Sequence, residues 1–213
     1  MIGFIGDVHG RYESLYKIFQ ECPKVTRWFQ VGDLGGEDLT YPELPSNFHF
    51  IQGNHENWDI IASLVEKGST TFIQNGDVRR YRDGSTPYTI GALGGNYSSR
   101  YHSSTRRDLC GDRRRHFVAQ EVESLKALAT KLDILITHEA PVPYQMSGRE
   151  LGQPIITEIL KKLCPDTHFF GHHHYYRMLE LEGTVTVGLE YSTRSYVLYD
   201  VESGRVNRRI LSL

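Results

Sequence analysis

Five short segments of this chain carry Asp, Asn and His in an arrangement able to hold metal ions: Gly6-Asp7-Val8-His9-Gly10, Gly32-Asp33, Gly53-Asn54-His55-Glu56, Thr137-His138-Glu139 and Gly171-His172-His173-His174. Carboxylate oxygens, an amide oxygen and imidazole nitrogens form a mixed donor set that suits Mn, Fe, Zn or Ni rather than Ca. Two such cations side by side are a common device for hydrolysing phosphate esters. Singly, each segment has an ordinary reading. An Asp beside Gly is a turn former, and an isolated His is often a hydrogen-bonded core residue. The conjunction of five, each placed where an apolar run ends, points to a shared cleft.

The elements that must position these segments are legible as period-2 and period-3.6 patterns. Ile2–Ile5, Trp28–Val31, Phe48–Gln52, Ile134–Thr137 and His168–Phe170 read as strands, and each runs directly into one of the five segments. Helices are expected over Arg11–Gln20, around Ile60–Val65 up to Gly68, from Val118 to Leu132, and from Pro154 to Leu163. The middle adds strands at Phe72-Ile73, Val78–Arg82 and Tyr88–Leu93, then an irregular stretch from Gly94 to Arg115. The remainder, Tyr175 to Leu213, reads as a β-meander with turns near Glu182-Gly183 and Ser203-Gly204. Strand–helix–strand units followed by strand-only stretches predict an α/β fold of two packed sheets with helices outside. In open α/β sheets ligands lie off the carboxyl ends of the strands, where all five segments fall.

With 213 residues, the chain is expected to form one domain over 1–213. A net charge of −2 names no partner. Cys22, Cys110 and Cys164 are too few and too scattered for a disulfide scaffold. No apolar run reaches membrane-spanning length, and Met1–Gly6 enters a strand at once, leaving no room for a signal peptide. These features predict a cytoplasmic protein with no membrane partner, and leave its oligomeric state open.

The set Asp7-x-His9, Gly32-Asp33, Gly53-Asn54-His55-Glu56, His138 and Gly171-His172-x-His174 resembles the calcineurin-like metallophosphoesterase superfamily, from the first strand to about Tyr175. The resemblance implies a four-layer α/β/β/α sandwich, two β-sheets flanked by helices, with a dinuclear metal site at strand carboxyl ends. It implies two divalent metal ions, with Mn foremost and Fe, Zn, Ni or Mg as alternatives. Asp7, His9 and His174 would hold one metal, Asn54, His138 and His172 the other, and Asp33 would bridge them. A metal-bridging hydroxide would attack phosphorus, since metal binding lowers the pKa of water from about 15.7 towards roughly 7. His55 would donate a proton to the leaving group, so that His55, Asp33 and Asn54 form the catalytic set. Imidazole suits such proton transfer near neutral pH.

Which branch is less evident. The protein Ser/Thr phosphatases of the superfamily continue the second segment as Gly-Asp-x-Val-Asp-Arg-Gly. This chain has Gly32-Asp33-Leu34-Gly35-Gly36-Glu37, without the Asp that would support the catalytic histidine or the Arg that would hold phosphate. It is therefore not expected in that branch. Leu93-Gly94-Gly95-Asn96-Tyr97 resembles a glycine-bearing strand end of phosphodiesterase branches, making Asn96, Tyr97, Arg100 and His102 candidate substrate-binding residues. The basic 100–116 stretch, with Arg113, Arg114 and Arg115 near Tyr97 and Tyr101, suits either a nucleic-acid backbone with stacked bases or a solvated surface. The expected function is hydrolysis of a phosphate-ester substrate, with a phosphodiesterase or nuclease acting on RNA or DNA as the alternative. A non-catalytic scaffold is a third reading, disfavoured because every ligand and His55 are present. Trp58 is expected as pocket wall or packing. His173, between two ligands, should point away from them toward the rim if the segment is extended. Glu56 and Glu139 are expected to orient an imidazole or to lie at a cap or surface.

Overall fold

The computed structural model describes residues 1–35 and 40–211. Gly36 and Glu37, where the second segment departs from the phosphatase pattern, and the last two residues of the expected meander lie outside the described residues.

Strands β1 (Ile2–Ile5), β2 (Trp28–Gln30) and β3 (Phe48–Phe50) alternate with helices α1 (Tyr12–Glu21) and α2 (Trp58–Glu66). Then come β4 (Val78–Asp83), β5 (Thr86–Leu93), α3 (Ala119–Lys126), β6 (Ile134–Thr137), the small hairpin β7 (Gln145–Met146) and β8 (Arg149–Glu150), and α4 (Pro154–Leu163). The chain closes with β9 (Thr167–Phe170), β10 (Arg177–Leu181), β11 (Thr184–Gly188), β12 (Ser195–Asp200) and β13 (Arg205–Ile210). One sheet has the order β13-β12-β1-β2-β3, the other β10-β11-β9-β6-β5-β4. Pairings β1–β2, β2–β3, β5–β6, β6–β9 and β9–β11 are parallel.

The central strands of each sheet are buried on both faces, which explains their near-continuous apolar runs. Between the sheets, Ile2, Phe4, Phe29 and Val197 of the first meet Ile90, Ile134, Phe169 and Val187 of the second. The Phe4 and Phe169 rings stack with centroids 3.7 Å apart. Outside the first sheet, Ile5, Trp28 and Phe48 pack on Leu15 and Ile18 of α1 and on Trp58 and Ile61 of α2. Outside the second, Leu93 and Leu135 pack on Val122 and Leu125 of α3 and on Ile156, Ile159 and Leu160 of α4. The result is the four-layer α/β/β/α sandwich expected from the sequence. Among the described residues no helix is long and apolar enough to cross a membrane.

Three expectations change. Phe72-Ile73 forms no strand: Phe72 makes only a single bridge, to Phe50 of β3, and the pairing does not continue into a ladder. Helix α3 ends at Lys126 rather than Leu132; Leu132 still joins that core cluster, but from the connection to β6. The C-terminal segment is not one meander. Hairpin β10–β11 joins the second sheet through parallel pairing of β11 with β9, whereas hairpin β12–β13 joins the first through β1. The turns fall where expected, but alternation within a hairpin does not specify which sheet it extends.

Candidate metal centre

Strands β1, β2 and β3 of one sheet and β6 and β9 of the other end on the same side, and the turns that follow carry the five segments. Four residues there take left-handed backbone conformations although none is glycine: His9 (φ 47°), Asp33 (φ 59°), His172 (φ 68°) and His174 (φ 56°). Such conformations cost of order 1–3 kcal/mol each and persist where surrounding structure imposes them. Two glycines allow carboxylates to come close. A Cβ on Gly53 would lie 2.0 Å from Oδ1 of Asp33, and one on Gly171 would lie 2.4 Å from Oδ1 of Asp7.

Asp7 and Asp33 are 0% and 1% exposed. Each is held the same way. The backbone N–H of His172 donates to Oδ1 of Asp7 at 3.0 Å, and that of His55 donates to Oδ1 of Asp33 at 2.7 Å. Both Oδ2 atoms face the histidines. Nε2 of His174 lies 2.8 Å and Nε2 of His9 3.7 Å from Oδ2 of Asp7, and the two imidazole nitrogens are 3.3 Å apart. Nε2 of His9 and Nε2 of His138 each lie 3.6 Å from Oδ2 of Asp33. Nδ1 of His138 donates to the Val31 carbonyl at 2.9 Å. Oδ1 of Asn54, which also only accepts, lies 2.9 Å from Nε2, so a neutral His138 with its proton on Nδ1 sets two lone pairs face to face there, an arrangement that a cation would satisfy. His172 lies beside His138, ring centroids 4.9 Å apart.

The electrostatics favour cations here. Burial opposes ionisation of Asp7, yet hydrogen bonds from His174 and His9 hold its carboxyl well below the usual range. Burial likewise opposes protonation of His9 and His138, but Asp7 and Asp33 outweigh it and raise both. His172 is the converse: burial, reinforced by His138, pushes it down to about 3, leaving a neutral imidazole. Among the described residues no Lys or Arg pairs with Asp7 or Asp33. Two buried carboxylates with no Lys or Arg partner among the described residues, facing imidazoles and an amide oxygen, fit divalent cations. Ligand atoms of Asp7, His9 and His174 lie within 4.8 Å of one another, as do those of Asp7, Asp33 and His138.

Above them opens a cavity of about 330 Å³. Six of the residues singled out by sequence line it: His9, Asp33, Asn54, His55, His172 and His174. Asp7 and His138 lie beneath, fully buried. Two further lining residues, Arg11 and Tyr191, belong to no motif. Tyr191 lies between β11 and β12, with its ring stacked on His174 at 3.9 Å and 17°. Sequence offered no sign of it; Arg11 was detectable only as the neighbour of Gly10.

Glu56 is neither orienter of an imidazole nor surface residue. It is fully buried, and its carboxylate accepts the backbone N–H groups of Leu34 at 3.1 Å, Gly35 at 3.2 Å and Gly53 at 3.0 Å, together with the Tyr41 hydroxyl. It thus ties the Asp33 turn to the Asn54 turn. Burial, then Asp33, pushes it up to about 7 against those bonds. Buried Gln30 likewise ties the Asp7 turn to the Asp33 turn, its amide donating to the carbonyls of Gly6 and Gly32. Glu139 is buried, accepts the Tyr97 N–H at 3.1 Å, and is pushed up to about 7 chiefly by burial. It lies close to His172 and His173. His173 stacks on Tyr144 at 4.9 Å and does not line the cavity, although left-handed His172 and His174 make the segment a turn rather than extended backbone.

Asn96, Tyr97, Arg100 and His102 do not line this cavity. The Asn96 N–H donates to the Arg115 carbonyl, and Tyr97 packs on His102 and Phe117. In the basic stretch, Arg106 pairs with Glu121 at 2.8 Å and Arg114 with Asp59 at 3.1 Å, while Arg100 and Arg113 lie near the Tyr101 ring at 5.4 and 5.5 Å. Trp58 packs in the outer core of the first sheet and lines a separate groove with Arg106 and Arg114.

A model of the calcineurin-like phosphoesterase family matches residues 1–176. A protein of Haemophilus influenzae described only as uncharacterised is 27% identical, over 82% of this chain and 83% of its own. The crystal structure of TT1561 of Thermus thermophilus superposes with a TM-score of 0.70 at 15% identity, covering 98% of this chain and 97% of that one. The phosphopantetheinyl hydrolase PptH from Mycobacterium tuberculosis gives a TM-score of 0.56 at 12% identity, covering 90% and 89%. A putative 5'-nucleotidase from Staphylococcus aureus gives 0.54 at 12% identity, covering 98% of this chain and 52% of that one. None of these structures is a protein Ser/Thr phosphatase. At such identities the likeness establishes the fold.

Proposed function

The chain belongs to the calcineurin-like phosphoesterase family of metal-dependent hydrolases, and from that premise we propose that it cleaves phosphate esters of modest size, monoesters foremost, at the cavity over Asp7 and Asp33. One observation carries the reading: two buried carboxylates, each fixed at Oδ1 by a backbone N–H, turn Oδ2 toward imidazoles with no Lys or Arg partner among the described residues. Asp7, His9 and His174 would hold one divalent ion and Asn54, His138 and His172 the other, with Asp33 between. When bound, the two ions supply a nucleophile from water and offset charge on the phosphoryl oxygens. The Val31 carbonyl fixes His138 in the tautomer that presents Nε2. His55 stands exposed on the cavity wall with its backbone tied to Asp33, placed to give a proton to a departing oxygen. Asn54 presents its amide oxygen without adding negative charge.

A cavity of about 330 Å³ suits a small phosphorylated molecule better than a strand. The second reading, a phosphodiesterase or nuclease on RNA or DNA, draws support from Arg100 and Arg113 flanking Tyr101. The core shared between both sheets supports a single domain over 1–213, and the composition supports a cytoplasmic location. Mn²⁺ is the first metal to test, ahead of Fe, Zn, Ni and Mg.

The test is Mn²⁺-dependent hydrolysis of p-nitrophenyl phosphate and bis-p-nitrophenyl phosphate side by side, with a chelated control. Faster metal-dependent monoester cleavage is the expected outcome. Faster diester cleavage transfers the assignment to the second reading, and inactivity on both with two metals bound rejects the enzyme reading for such esters.

A further inference from the structure

We propose that Arg11 is a substrate-binding residue that selects phosphomonoesters over diesters, an inference that rests on the phosphoesterase function above. Arg11 is the only Lys or Arg among the described residues lining the cavity. Its backbone is anchored: its N–H donates to the Val8 carbonyl at 3.1 Å, and its own carbonyl accepts the Ser14 hydroxyl at 2.8 Å and the Ser14 N–H at 3.1 Å. The Cα is therefore held two residues from His9, at the mouth of the cavity. The guanidinium lies 5.6 Å from the centre of the Tyr191 ring, within cation–π range. Tyr191 in turn stacks on His174 and lies 5.7 Å from His9. The ring thus forms a platform joining the cation to the imidazoles. No carboxylate among the described residues pairs with Arg11, and its side chain is exposed, so its donors are available to a ligand.

The chemistry that this cation recognises follows from charge. A phosphomonoester dianion spreads two charges over three terminal oxygens, while a diester offers one charge over two. A guanidinium binds paired phosphate oxygens through its planar fork. Alkylating one of those oxygens removes both an acceptor and a charge, so the loss of Arg11 should penalise the monoester more. The phosphatase pattern Gly-Asp-x-Val-Asp-Arg-Gly, whose Arg would hold phosphate, is absent from this chain; Arg11 reaches the cavity from a different strand end.

The test compares the Mn²⁺-loaded parent with Arg11→Ala and Arg11→Lys. Metal content, calorimetric binding of inorganic phosphate, and kcat and KM for both nitrophenyl esters are measured. Arg11→Ala should weaken phosphate binding about tenfold or more. The monoester-to-diester ratio of kcat/KM should fall by a similar factor, mainly through KM, with metal content unchanged. Arg11→Lys should recover part of both. Unchanged phosphate affinity and ratio, or equal losses on both esters accompanied by lost metal, overturn the proposal. A parent inactive on both esters defeats the function proposed above, whereas the phosphate-binding comparison still decides the role of Arg11.

Discussion

The backbone N–H of His55 donates to Oδ1 of Asp33 at 2.7 Å, so the segment carrying the proposed proton donor is tied directly to the proposed bridging carboxylate. Asp33→Asn keeps an acceptor for that bond but removes the charge. The variant should fold, carry fewer than two metals per chain, and lose activity by about a hundredfold or more. Metal analysis alongside steady-state kinetics decides. Two metals with full activity would overturn the bridging role.

His55→Ala leaves the Asp33 bond intact, since the backbone makes it. Both metals should remain. Turnover should fall by about 10²–10⁴, most steeply for esters with poor leaving groups. A variant as fast as the parent on an unactivated ester removes His55 from the mechanism.

Glu56→Ala would leave three buried backbone N–H groups and the Tyr41 hydroxyl without their acceptor. The cost should be about 3 kcal/mol or more in urea denaturation. Glu56→Gln, which retains one acceptor oxygen, should cost less. Equal stability of parent and Glu56→Ala would refute the clasp.

His168 is fully buried with Nε2 2.8 Å from the Thr137 hydroxyl, and burial pushes it down to about 3. His49, stacked on Phe29, is pushed down to about 4, first by burial and then by Arg27 and Arg79 against a hydrogen bond to Thr70. Both stay neutral in the fold while the unfolded chain takes up protons near pH 6.5. Stability should therefore be intact above about pH 6.5 and fall as pH drops toward 4, by up to about 1.4 kcal/mol per pH unit for each histidine. Denaturant midpoints from pH 7 to 4 measure this, and His168→Asn should flatten the slope. An unchanged slope excludes His168 as a contributor.

Arg100 and Arg113 flank Tyr101, whereas Arg106 and Arg114 are occupied by Glu121 and Asp59. If nucleic acid binds the basic stretch, replacing Arg100 and Arg113 by Ser should weaken single-strand binding and make its salt dependence shallower. No change in either would leave the stretch as surface.

The five candidate metal-binding segments were legible because each is local: an apolar run, a Gly-bearing turn, then a side chain able to ligate. The same locality revealed the α/β alternation and the helices that cover the sheets. Longer-range features were not legible. Hairpins β10–β11 and β12–β13 have similar patterns, yet packing sends them to different sheets. Glu56 reads in sequence as an imidazole orienter or as a cap or surface acid, and only folding closes the Asp33 and Asn54 turns around it. Tyr191 acquires a role only because the end of β11 comes to lie beside the β1 and β9 turns. Sequence by itself thus determined which side chains can bind metal and which strand ends carry them. Tertiary structure decided what surrounds them, because the platform, the clasp and the cation at the cavity mouth depend on contacts between segments that no local pattern encodes.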